Sequence, residues 1–111
     1  MLPPGKHYVN APMAIAANFK DSSGNDVDPA TVVFRLRVGG SDWATYTYGT
    51  DSQITRTDAG DYTATFTPDK SGRWFYRWQT TGTGTTVASE GDFLIQASEF
   101  YDDDILWDYS L

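Results

Sequence analysis

Gly72-Arg73-Trp74-Phe75-Tyr76-Arg77-Trp78-Gln79-Thr80 constrains this chain more than any other stretch. Trp74, Tyr76 and Trp78 alternate with Arg73, Phe75, Arg77 and Gln79. A period of two puts three large rings on one side and the polar groups, with Phe75, on the other. A helix would scatter the same residues around its circumference. A strand gives the rings a common buried face, where each withdraws roughly 150–250 Å² from water. The spacing predicts a central strand over 73–80, with its arginines facing outward.

On either side the same period recurs. Tyr62, Ala64 and Phe66 alternate with Thr63, Thr65 and Thr67 until Pro68 stops the strand. Phe34, Leu36 and Val38 face away from Arg35 and Arg37 within Thr31 to Val38. Met13, Ile15, Ala17 and Phe19 face away from Ala14, Ala16, Asn18 and Lys20. Trp43 to Tyr48, Gln53 to Arg56 and Val87 to Gln96 read as further strands. Turn formers separate them, among them Gly39-Gly40-Ser41-Asp42, Asp58-Ala59-Gly60-Asp61 and Thr81-Gly82-Thr83-Gly84-Thr85. About seven short strands so spaced predict an all-β fold, an immunoglobulin-like β-sandwich. A small barrel shares that periodicity and stands as the alternative. The expected organisation is an N-terminal arm over 1–12, the sandwich over 13–96 and an acidic-aromatic C-terminal arm over 97–111.

Composition narrows the function classes. The chain has 111 residues, room for one domain, and 15% of them are aromatic. There is no cysteine, so packing alone must hold the sandwich. The net charge of −7 argues against nucleic acid, which needs clustered Lys and Arg. Met1 to His7 lacks the apolar core of a signal peptide, and no apolar run approaches the ~20 residues of a membrane span. The expected compartment is the cytoplasm of the producing cell, with no membrane partner.

Gly60-Asp61-Tyr62-Thr63-Ala64-Thr65-Phe66-Thr67-Pro68, followed by Ser71-Gly72-Arg73-Trp74-Phe75-Tyr76-Arg77-Trp78, resembles filamin-type immunoglobulin repeats. Asp58-Ala59-Gly60-Asp61-Tyr62 also resembles a tyrosine-corner run, but two further strands are expected after Tyr62, which suits the filamin-type register better. Together with Asp28-Pro29, Thr31-Val32 and Tyr46-Thr47-Tyr48-Gly49, these motifs resemble small immunoglobulin-like proteins of the head and neck of tailed bacteriophages. That resemblance implies a non-enzymatic virion protein, made in the host cytoplasm without a signal peptide. It would be a capsid decoration or head–tail neck accessory, bound in many symmetric copies to the major capsid or a connector protein.

The residues suggest no catalytic centre. His7 is the only histidine and sits beside Pro3-Pro4-Gly5, so an exposed or lightly packed role is expected. No cofactor or metal is expected either: Asp21 to Asp28 is rich in oxygen ligands but lacks the spacing of a calcium loop, and reads as a polar turn. Two binding candidates remain. The first is the arm, where Phe100, Tyr101, Ile105, Leu106, Trp107, Tyr109 and Leu111 stand among Glu99, Asp102, Asp103, Asp104 and Asp108. It could add a strand to a neighbouring sheet or fill grooves on a partner, or else fold back on its own domain. The second is an exposed face formed by Arg35, Arg37, Arg73, Phe75 and Arg77 if their strands are neighbours. The alternative function is a carbohydrate-binding or adhesion module using the aromatics of Trp43 to Tyr48 or Trp74 to Trp78.

Overall fold

Alternation along the chain becomes two facing sheets. The structure is a computed structural model and describes residues 7–82 and 90–97. One sheet has the order β1 (His7–Tyr8), β8 (Glu90–Gln96), β7 (Gly72–Thr81), β3 (Thr31–Val38), β4 (Ala44–Thr47). The other runs β2 (Met13–Asn18), β6 (Asp61–Phe66), β5 (Ile54–Asp58). All strand pairs are antiparallel except β1 with β8. This is an immunoglobulin-like β-sandwich, with the chain crossing between sheets after β1, β2, β4 and β6.

The rings read as inward lie in the core. Trp78 is fully buried, with the Phe34 ring tilted against it at 4.8 Å and Phe19 edge-on at 6.1 Å. Trp74 stacks on Phe93 at 6.3 Å, and its indole N–H donates to the Lys70 carbonyl. Tyr76 turns inward too, stacked on Phe34 at 6.0 Å. A side chain at Gly91 would meet the Tyr76 ring, since its Cβ would fall 2.8 Å from the hydroxyl oxygen. Glycine there lets the ring lie across β8.

Strand β1 falls within the stretch read as an arm. His7 pairs with Ile95 and Tyr8 with Gln96, and the Val9 N–H donates to the Gln96 carbonyl at 2.9 Å. His7 is half-buried, edge-on to Phe93.

A polar latch closes one end of the sandwich. Asp28, on the crossover from β2 to β3, accepts hydrogen bonds from Arg56 Nε, the Gly60 N–H and the Tyr62 hydroxyl. Gly60 has φ +76°, and a Cβ there would lie 2.5 Å from the Phe19 carbonyl oxygen, so only glycine fits this turn. The partner of Tyr62 lies 34 residues upstream, unlike the local partner of a tyrosine corner, and strands β7 and β8 follow Tyr62 in the chain.

Candidate functional site on the outer face of the larger sheet

Pairing of β3 with β7 sets Arg35 opposite Arg77 and Arg37 opposite Phe75. On the far side of β7, strand β8 sets Glu90 opposite Arg77, Asp92 opposite Phe75 and Leu94 opposite Arg73. The sheet thus brings together all five residues read as an exposed face. Like charges placed opposite each other destabilise a sheet, and here carboxylates offset the clash. Arg77 Nε donates to Glu90 at 2.8 Å, and Arg73 donates to Asp92 at 2.9 Å. Both pairs are about half exposed, so each contributes only ~0–1 kcal/mol. Their main effect is to orient the two guanidiniums.

Aromatic rings hold one of the two remaining cations. The Arg37 guanidinium lies 4.5 Å from the centre of the Trp43 ring and 5.6 Å from that of Phe75, while Arg77 lies 5.9 Å from Trp43. Such contacts are worth ~0.5–1 kcal/mol each when exposed. The Nε atoms of Arg35 and Arg37 are buried without an acceptor among the described residues. A shallow cleft of about 290 Å³ opens between Arg37, Trp43, Phe75, Arg77, Glu90 and Asp92. Four arginines against two carboxylates give this face a positive excess on a chain whose net charge is −7.

The other candidates fall elsewhere. Trp74 and Trp78 are core residues and present no platform to solvent. Trp43 lies on the outer face and Tyr48 is exposed, edge-on to Tyr62 at 5.2 Å. Carboxylates of the Asp21–Asp28 stretch are divided among separate partners. Asp21 accepts the Ser23 and Asn25 N–H groups, Asp26 pairs with Lys20, and Asp28 belongs to the latch. Among the described residues no group of three or more His, Asp or Glu is placed to hold a metal ion. Phe100, Tyr101, Ile105, Leu106, Trp107, Tyr109 and Leu111 lie outside the described residues.

Sequence reasoning missed Glu90, Asp92 and the pairing of Trp43 with Arg37. The i, i+2 spacing of Glu90 and Asp92 was a usable signal, because it matches that of Arg77 and Phe75 across a hairpin. Trp43 was read as opening a strand to Tyr48, whereas it precedes β4, and alternation carried no sign of its contact with Arg37 on β3.

No protein-family model matches the chain, and no curated protein does. Among solved structures it is similar to a "putative glycoside hydrolase" from Bacteroides vulgatus, with a TM-score of 0.56 and 19% identity over 84% of this chain. The chain spans only 16% of that protein, and the likeness is one of fold. It is also similar to a superoxide reductase (neelaredoxin) from Ignicoccus hospitalis, with a TM-score of 0.42 and 14% identity, over 87% of this chain and 77% of that one.

Proposed function

We propose that this chain is a non-catalytic docking module whose outer sheet face engages an acidic, aromatic-bearing segment of a partner protein. The observation that supports this most is the convergence of Arg35, Arg37, Arg73 and Arg77 with Trp43 and Phe75 on one face. Arginine and aromatic residues are enriched where protein interfaces concentrate their binding energy. A positive patch on an acidic molecule also orients an acidic partner during encounter. Glu90 and Asp92 are engaged by arginines, an arrangement suited to holding the stack rather than to proton transfer.

The sequence resemblance supports a setting for this activity. We place the module on a tailed-phage virion as a capsid decoration or neck accessory, in many copies, with residues 98–111 serving as a docking arm. Mass spectrometry of purified virions should then find the chain at a fixed ratio to the major capsid protein. The Arg35→Glu/Arg37→Glu variant should stay folded and lose at least ~10-fold in particle association, a cost of about 1.4 kcal/mol or more. Particles without the chain would reject the setting; undiminished association of the variant would reject the face.

A second reading is a carbohydrate-binding module, favoured by Trp43 at the rim of a cleft that also holds Arg37, Glu90 and Asp92. Glycan-array binding lost on Trp43→Ala, with the fold intact, would select it.

A further inference from the structure

The outer face and residues 98–111 are chemical complements carried on one chain. The face offers four arginines around Trp43 and Phe75, and among the described residues only two of the four are held by carboxylates. Residues 98–111 offer Glu99, Asp102, Asp103, Asp104 and Asp108 with no lysine or arginine, and among them stand Trp107 and Tyr109. Each half supplies what the other lacks: carboxylates for Arg35 and Arg37, and rings to extend the Trp43–Arg37–Phe75 stack.

The topology puts them within reach. Strand β8 ends at Gln96, beside β7 in the same sheet, and Asp92 sits opposite Phe75. Gln96 is therefore about 13 Å along the strand from the stack, at ~3.3 Å per residue. The segment 98–111 can extend over roughly 46 Å. A reversal just after Ala97 would carry Asp102 to Asp104 back over the arginines and Trp107 to Trp43. A tether of a few residues raises the local concentration to the millimolar range. A second copy of the chain would have to be that concentrated to compete.

We propose that residues 98–111 dock on the outer face of their own domain, and that a partner gains the face by displacing them. The proposal rests on the docking reading above and names the segment the face holds before a partner arrives. Displacement would expose an aromatic arm and a basic face together.

The chain has no cysteine, so Ser110→Cys accepts a single spin label on the full-length protein. In the isotope-enriched, labelled chain, the backbone amide signals of Arg35, Arg37 and Phe75 should be lost to paramagnetic broadening. They should return in Asp102→Asn/Asp103→Asn/Asp104→Asn, whose changes lie outside the described residues, and on raising the salt concentration. Signals that persist in the labelled chain would overturn the proposal. So would equal loss in a mixture of labelled, unenriched chain with unlabelled, enriched chain, because the segment would then serve a second copy. If the signals persist, titration with a synthetic peptide of residues 98–111 separates the two claims. Shifts at Arg37 and Phe75 would leave the docking reading standing without the self-docked arm. No shifts would remove both.

Discussion

Asp28 joins three donors from the hairpin of β5 and β6, although its side chain is 40% exposed. The Arg56 guanidinium, then the Gly60 N–H and the Tyr62 hydroxyl, hold its carboxyl at about 2, below the ordinary 3.8. The unfolded chain takes up this proton first as pH falls. The latch's contribution is therefore complete above pH 3.8 and fades as pH drops through about 2. Tyr62 behaves in mirror image. Burial and then its bond to Asp28 push the phenol up to about 12 from 10.0, so its contribution is complete below pH 10.0 and is lost as pH climbs through 12. Asp28→Asn should lower the midpoint of thermal unfolding at pH 7 and flatten the stability change between pH 4 and 2. Calorimetry across that range checks both. Little of this was legible in the sequence. Asp28 reads as the residue before a proline, and nothing local announces that positions 28, 56, 60 and 62 meet.

Strands β3 and β7 form the central pair of the larger sheet, and the period of two identified both, with their inward and outward sides. The alternation survived folding because one face is buried, and a slip by one residue would have moved Trp78 and Phe34 into water. The central burden falls on Trp78. Trp78→Ala should cost about 3–5 kcal/mol, a large share of the ~5–15 kcal/mol available to a domain. The indole N–H of Trp78 has no acceptor among the described residues. Trp78→Phe should therefore cost distinctly less than Trp78→Ala, since it removes an unpaired donor while keeping a ring. Denaturant unfolding of the two variants tests that order. Strand β1 was illegible for the opposite reason. Two residues carry no period, and only the neighbouring edge of β8 makes them a strand.

At the scale of the molecule, charge and topology separate roles that composition blurs. Net charge describes an acidic protein, whereas the register of β3, β7 and β8 gathers its arginines on one side. Membership of that face was legible as alternation. That the two stripes adjoin was not, because the placing of β3 beside β7 depends on long-range pairing, whereas the Arg73 and Arg77 partnerships follow from the hairpin of β7 and β8. The smaller sheet contrasts with it: Thr55 pairs with Thr63 and Ala14 with Thr65, small neutral groups along an uncharged stretch.

The parallel pairing of β1 with β8 also has a mechanical consequence. The chain enters at His7 and leaves beyond Gln96 along neighbouring strands that run the same way, so tension on the two flanks pulls those strands past each other lengthwise. Their hydrogen bonds are then loaded in shear and must yield together rather than unzip singly. Forced unfolding follows the height of that barrier rather than the equilibrium stability. Val9→Pro removes the N–H that donates to Gln96 at 2.9 Å. In single-molecule pulling its unfolding force should fall well below that of the parent chain, out of proportion to any change in melting temperature.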